Sequence, residues 1–255
     1  MAPPIGIEEY RLDPKYAAYY RKLYETHWWW RMRERWVLDV IRRAQPRSGW
    51  RNILDIGCGD ALFFDRLADF GDVEGIEPDR SLVSEANPHR SQIAIGPFNE
   101  SFRPGKRFGL VLMLDVLEHL NDPLSALCQV DALLENEGNL VLTVPAYNAV
   151  WTNHDVLNHH VTRYKKSTLF PIIRSARLEV LESSYWFHWT FPAKLAQKAL
   201  EKAFRLQPTN PSIPGSVLNK FLMGISAVEH SLLRPLHVPF GTSLFVRCAH
   251  QRRGS

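Results

Sequence analysis

Cysteine is scarce: three residues, Cys58, Cys128 and Cys248, stand far apart in a chain of 255. This excludes a disulfide-stapled scaffold and a cysteine-rich zinc module. It fits a reducing compartment, so a cytoplasmic location is expected. No apolar run reaches the roughly 18 residues of a membrane-spanning helix, so none is expected. The opening MAPPIGIEEY lacks a basic-then-apolar leader pattern. Internal repeats and low-complexity tracts are also missing. Only 23% of residues are charged while 45% are hydrophobic, which excludes wholesale disorder. The length suits one large domain, or one domain with a sizeable insertion.

What is present is unevenly charged. Residues 1–51 carry 11 Lys/Arg against 6 Asp/Glu, residues 52–147 carry 6 against 16, and residues 148–255 carry 14 against 5. An acidic middle lies between two basic flanks. That pattern points either to an anionic partner or to faces that attract one another across the fold.

From Arg51 onward, strands alternate with helices. Short apolar runs at 52–56, 72–77, 92–95, 108–114 and 140–144 read as strands. Helical spacing marks 61–70 and, more briefly, 81–86. Asp122-Pro123 reads as a helix start, with a capping carboxylate and proline in the first turn, and that helix runs to about Leu134. A helix at 167–176 and strands at 178–184 and 242–249 follow. Near-continuous apolar strands separated by helices imply a doubly wound, mostly parallel α/β sheet, Rossmann-like, covered on both faces. Residues 1–50 read as a helical segment and 51–255 as the main domain. Within it, 185–241 reads as an insertion before the last strand, with helices at 193–206 and 217–233.

The strongest chemical signal is Leu54-Asp55-Ile56-Gly57-Cys58-Gly59-Asp60, where the first strand turns toward its helix. Glycines there let a ligand approach the backbone. The third glycine of a dinucleotide fingerprint is missing, because position 62 is leucine, and no Gly-Lys-Ser/Thr phosphate loop is present. The turn therefore suits a nucleoside, with Asp55 attracting an amine. Glu77 ends the second strand, where an acidic residue receives ribose hydroxyls, and Pro78 stops that strand. Leu114-Asp115-Val116-Leu117-Glu118-His119 follows the fourth strand at the same carboxyl edge.

Together, LDIGCGDA, GIEPD, LDVLEHLNDP and NLVLTVPAYNAVW resemble class I S-adenosylmethionine-dependent methyltransferases in order and spacing, over roughly 52–164. The lead-in His27-Trp28-Trp29 before Arg33, the run from Trp151 to Tyr164 and the ending LHVPFGTSLF resemble the ubiquinone-pathway O-methyltransferases and their uncharacterised bacterial relatives. Asn136-Glu137-Gly138-Asn139 and Phe108-Gly109-Leu110-Val111 depart from that pattern. The resemblance implies S-adenosylmethionine as cofactor. Gly57 and Gly59 would pass its methionine part, Asp55 would hold its ammonium and Glu77 its ribose. Phe98 would lie near the adenine. Leu114 and Asp115 would line the methionine end, and Arg33 would reach the carboxylate.

Methyl transfer needs positioning, and a base only where the acceptor must lose a proton. The candidate bases are His119, His154, Asp155 and His160; the competing readings are a bracing loop for His119 and a polar lid for the others. Arg163 and Tyr164 are expected to steer an anionic or phenolic acceptor. Asp115, Glu118 and His119 match positions that hold a divalent metal in some quinone-pathway relatives, but Asp replaces the usual Glu at 115 and no metal is assigned. The expected reaction methylates a hydroxyl oxygen of a small or lipid-linked acceptor. The alternatives are a non-catalytic binding module and an N- or C-methyltransferase. No Asn/Asp-Pro-Pro-Tyr base-flipping motif follows the fourth strand, so nucleic acid is not an expected partner. Lys194, Lys198, Lys202 and Arg205 beside Trp186, Trp189 and Phe191 raise two options, a peripheral membrane contact and a lid or homodimer face.

Overall fold

The computed structural model describes residues 14–251. The MAPPIGIEEY segment lies outside the described residues. Seven strands form one sheet: β1 (Asn52–Ile56), β2 (Asp72–Glu77), β3 (Ile93–Ile95), β4 (Phe108–Leu114), β5 (Leu134–Pro145), β6 (Leu178–Trp186) and β7 (Ser243–His250). Their order is β3-β2-β1-β4-β5-β7-β6. The pairings among β1 to β5 are parallel, and β7 runs antiparallel to both of its neighbours. The strand order reverses between β1 and β4, which opens a crevice at their carboxyl ends.

Alternation along each strand fills two cores. Ile53, Leu110 and Leu112 face one side with α2 (Trp28–Ala44) and α3 (Phe64–Leu67). Leu54, Ile56, Val111 and Met113 face the other with α4 (Pro123–Leu133) and α6 (Lys166–Ser175). α2 is preceded by α1 (Pro14–Thr26) and is fixed at its start by the His27 ring, which accepts from the Trp29 N–H at 3.2 Å. Trp28, Trp36, Val37 and Ile41 are buried in the first core, so the N-terminal segment shares that core with the sheet. Asp122 caps α4 as expected, accepting from the Ser125 N–H at 3.0 Å.

Several expected boundaries move. The helix expected over 61–70 shrinks to Phe64–Leu67 because Ala61 sits in the left-handed region at φ 50°. The helix expected over 81–86 becomes a single tight turn at Arg80–Leu82. Asp79 accepts from the Ser81 N–H at 2.8 Å, and Asp60 takes the Ser84 N–H at 3.0 Å, so those donors are diverted from a helix. β6 runs on through Trp186. Trp186 and Phe187 are buried, and Trp186 stacks on Phe245 at 4.8 Å. The inserted segment therefore begins two residues later than 185, and its first aromatics face the core instead of a surface. It contributes α7 (Thr190–Phe204) and α8 (Ser216–Leu233). Among the described residues no helix is long and apolar enough to cross a membrane.

Candidate active site

The glycine turn leaves β1 with Gly57 at φ 72° and Gly59 at φ 53°. A side chain at Gly57 would strike Val116 at 2.7 Å, so the loops after β1 and β4 touch there. Around Gly59 there is open space where a Cβ would stand. Glu77, buried at the end of β2, folds back under this turn. One of its oxygens accepts from the Gly59 N–H at 2.9 Å and the other from the Asp79 N–H at 2.9 Å. Burial raises its pKa, against those two hydrogen bonds. Asp55 is also buried at this edge, and its pKa is pushed up to about 7 by burial, with Arg33 opposing and Glu77 adding to the shift.

Arg33 comes from α2, is buried, and donates to the Asp115 carboxylate. Its guanidinium lies 5.2 Å from the centre of the Trp29 ring. Asp115 is itself in the left-handed region at φ 58° and takes the Thr143 hydroxyl at 3.2 Å. The HWW…R lead-in thus places Arg33 at the carboxyl edge beside Asp115. Leu114 is half-buried next to it, while Pro78 is exposed. Phe98 packs on Phe102 at 5.9 Å beyond β3.

Sequence reading missed Tyr20. This α1 residue packs edge-on against Trp30 at 6.2 Å, and burial raises its pKa, with Arg33 opposing and Asp115 and Glu77 adding to the shift. Nearby, Arg21 pairs with Asp60 of the glycine turn. The signal available was a tyrosine-rich helix ahead of HWW, which does not say which tyrosine turns inward.

The loop after β5 is stitched to the loop after β4. The Val161 N–H donates to the Glu118 carbonyl at 2.8 Å, and Tyr164 bonds back to Pro145 at 2.9 Å. This brings His160 against Glu118 and His119. His160 Nδ1 meets Asp155 at 2.8 Å, its Nε2 lies 4.0 Å from Glu118, and its ring lies 4.9 Å from the His119 ring. Asp155 stands on α5 (Asn153–Leu157), fully buried, and accepts from Arg163 Nε at 2.7 Å, Arg163 Nη2 at 3.0 Å and the Thr152 N–H at 2.8 Å. Burial works against its charge, but the bonds from His160 and Arg163 hold its pKa below the usual carboxylate range.

Asp155 therefore braces His160 from behind and does not face an acceptor. The expected steering roles of Arg163 and Tyr164 also fail. Arg163 is spent on Asp155 and on the Ala146 carbonyl, and the Tyr164 hydroxyl donates to Leu117 at 3.2 Å. His154 stands 6.5 Å from His160 by ring centres, and burial lowers its pKa to about 4. His119 is lowered to about 4, first by burial and then by His160.

Glu118 is fully buried, and both of its carboxyl oxygens lack a hydrogen-bond partner. Burial, then Asp115, pushes its pKa well above the usual range. Glu118, His119 and His160 offer donor atoms within 4.8 Å of one another, a set that could hold a metal ion. Asp115 is outside that set, and His160 was not among the residues matched to a metal from the sequence.

α7 covers the loop from outside. Lys198 donates to the Asn148 and Ala149 carbonyls at 3.3 and 2.9 Å, and Glu201 takes the Asn153 N–H at 2.8 Å. Lys194 and Lys198 are half-buried, while Lys202 and Arg205 are exposed.

A methyltransferase domain family model matches residues 28–199. The chain belongs to this methyltransferase family. Curated relatives include a ubiquinone biosynthesis O-methyltransferase of Rhodopseudomonas palustris, 31% identical over 131 residues, which cover 45% of this chain and 51% of the relative. Another, from a Bradyrhizobium species, is 29% identical over 161 residues, covering 52% and 62%. The chain thus spans about half the length of the curated relatives it matches. Among solved structures, an S-adenosylmethionine-dependent methyltransferase from Clostridium acetobutylicum aligns with TM-score 0.56 over 93% of this chain and 98% of that one, at 11% identity. The phosphoethanolamine N-methyltransferase 2 of Haemonchus contortus, solved with S-adenosyl-L-methionine, aligns with TM-score 0.54 over 84% and 52%, at 15% identity.

The chain thus joins membership of the methyltransferase domain family to the fold of solved S-adenosylmethionine-dependent methyltransferases, and its residues fit that cofactor. The turn at Gly59 is open, and the Glu77 carboxylate lies directly beneath it with spare lone pairs. The crevice at the β1/β4 reversal also holds two acids and one arginine, suited to an amine and a carboxylate.

Proposed function

We propose that this methyltransferase moves a methyl group from S-adenosylmethionine to a hydroxyl oxygen of a small or lipid-linked acceptor, with His160 as the base. The cofactor supplies an electrophilic sulfonium methyl when bound. Gly57 and Gly59 pass its amino-acid end, Asp55 takes the ammonium, Arg33 with Asp115 lines that end, and Glu77 takes the ribose hydroxyls. The observation that carries the base assignment is the His160–Asp155 pair at 2.8 Å, set between the carboxyl ends of β4 and β5. Asp155 accepts from Nδ1–H and leaves Nε2 free to take a hydroxyl proton. An unprotonated ring nitrogen can take that proton. The deciding experiment incubates the enzyme with methyl-labelled cofactor and cell extract. Label in an alkali-stable ether, with calorimetric binding of S-adenosylmethionine but not of NAD or ATP, supports the reading; label in an amine or a carbon, or tight NAD binding, overturns it.

Glu118 favours a second reading of the same pocket. A buried carboxylate without a hydrogen-bond partner is costly unless it is protonated or holds a cation. If Glu118, His119 and His160 hold a divalent ion, His160 is a ligand and not a base. A chelator would then abolish turnover and added zinc would restore it; turnover unchanged by chelation removes this reading.

Two predictions follow from the cofactor end. Glu77→Ala should weaken S-adenosylmethionine binding by about 1–3 kcal/mol, the loss expected with hydrogen bonds to a charged group. Calorimetry on the folded variant measures this.

For Asp55, a raised pKa means that the protonated form prevails below about 7. The cofactor ammonium prefers the carboxylate, so affinity should rise with pH up to about 7 and then level off, by up to about tenfold per unit on the rising limb. The stability sign is opposite. The group's contribution to stability is fully present below its ordinary carboxylate pKa and is lost as pH rises through about 7. Asp55→Asn should flatten the affinity profile, and a profile that stays sloped would remove Asp55 from the ammonium site.

A further inference from the structure

α8 carries two apolar faces. The inner one is fixed: Asn219 bonds to the Trp28 N–H at 2.9 Å and to the Thr26 carbonyl at 2.7 Å, and the Ser226 hydroxyl accepts from Trp189 Nε1 at 3.1 Å. The His230 ring stacks on Trp36 at 4.3 Å. The outer face is a second stripe, spaced four, seven and four residues apart with the exposed Gly224 in the gap: Val217, Phe221, Val228 and Leu232, exposed at 83%, 62%, 59% and 64%. Leu236, at 67% exposure, extends it past the helix end. A protein surface seldom shows such an apolar stripe without an occupant.

Charge decides between occupants. α8 holds one carboxylate, Glu229, and it points inward to accept from the His188 and Trp189 N–H groups at 2.9 and 2.5 Å. Glu201, the acid of α7, is likewise turned in, toward Asn153 and Gln197. Lys220 and Arg234 remain exposed beside the stripe. A second copy of this chain, docked stripe to stripe, would bring these cations together with no carboxylate of either helix facing out. An anionic lipid surface complements both the apolar stripe and the cations. The helix cannot cross a bilayer. At 18 residues, about 27 Å long, it can lie along one.

We propose that the outer face of α8 docks this methyltransferase onto anionic lipid, with the stripe in the headgroup–acyl boundary and Lys220 and Arg234 at the phosphates. This rests on different residues from the Lys194, Lys198, Lys202 and Arg205 set suggested by the sequence, of which Lys198 closes over the loop after β5. It also stands independently of the methyl acceptor. The chain from α8 continues through Leu236 to Pro239, whose carbonyl accepts from the Tyr147 hydroxyl at the start of that loop, so the docked face leads toward the catalytic edge.

Flotation with vesicles tests it, using the full chain without cofactor or acceptor. Wild type should float with an equal mixture of phosphatidylcholine and phosphatidylglycerol, and at least tenfold less with phosphatidylcholine alone. The triple variant Val217→Ser, Phe221→Ser, Leu232→Ser should lose at least tenfold of the mixed-vesicle binding while keeping its melting temperature and its affinity for S-adenosylmethionine. The pair Lys220→Gln, Arg234→Gln should lose the salt-sensitive part. Wild type that ignores the mixed vesicles, or a triple variant that binds them equally, overturns the proposal. So does a wild-type dimer in sedimentation that the triple variant converts to monomer, because the face would then belong to a second copy. Failure of the His160 assignment would leave every one of these results unchanged.

Discussion

His160→Ala should lower turnover on a hydroxyl acceptor by roughly 10²–10⁴, the span that a positioned base contributes. Affinity for S-adenosylmethionine should stay within about twofold, because Asp55, Glu77 and Arg33 lie on other strands and on α2. Single-turnover transfer from labelled cofactor measures the first quantity and calorimetry the second. His154→Ala is the internal comparison. Its ring stands 6.5 Å from His160 and lacks the contact to Asp155, so it should keep turnover within a few-fold. Equal losses in both variants would point to collapse of the loop, and full activity of His160→Ala would return the base to His119. The asymmetry arises from backbone geometry. The Val161 N–H bonds to the Glu118 carbonyl at 2.8 Å, which ties the loop at the residue after His160 and aims that ring into the β4 edge.

That the candidate cofactor residues would gather at one edge was readable because their positions are local. A strand end, a two-glycine turn and an acid at the next strand end are set by spacing along the chain, and the parallel sheet then aligns them. Asp55, Gly57, Gly59 and Glu77 accordingly gather at one edge. The acceptor half depends on which residues of 151–164 turn inward, and spacing does not encode that. Trp151, His154, Asp155, His160, Arg163 and Tyr164 all look equally eligible in sequence. Burial sorts them: Asp155 and Arg163 satisfy each other, Tyr164 bonds to the Leu117 carbonyl, and the His160 ring lies between Asp155 and His119. The shortened α3 has a similar origin. Its periodic apolar residues Leu62, Phe63, Leu67 and Phe70 are those of a helix, but the left-handed Ala61 and the ties from Asn87 to Asp60 at 2.7 and 2.6 Å hold the first part as turns. The lysines of α7 mislead for a related reason. A basic run reads as a surface, yet one of its members, Lys198, closes over a loop distant in sequence.

Asp155→Ala should cost about 3–5 kcal/mol of folding stability, the penalty for leaving a buried charge without its partner. Arg163 is buried, and its bidentate bond to Asp155 would be lost, leaving the Ala146 carbonyl as its remaining acceptor. Denaturant unfolding measures that cost. The pair also separates structure from chemistry. Buried ion pairs can often be replaced by apolar residues of similar volume with little loss, because both desolvation penalties vanish together. The double variant Asp155→Leu, Arg163→Met should therefore recover most of the stability lost in Asp155→Ala. It should not recover turnover, because the His160 Nδ1–H then has no acceptor to fix its tautomer and ring orientation. A double variant that regains both would show Asp155 to be purely a structural anchor and would free His160 from it. One that regains stability alone identifies Asp155 as the residue that positions the base.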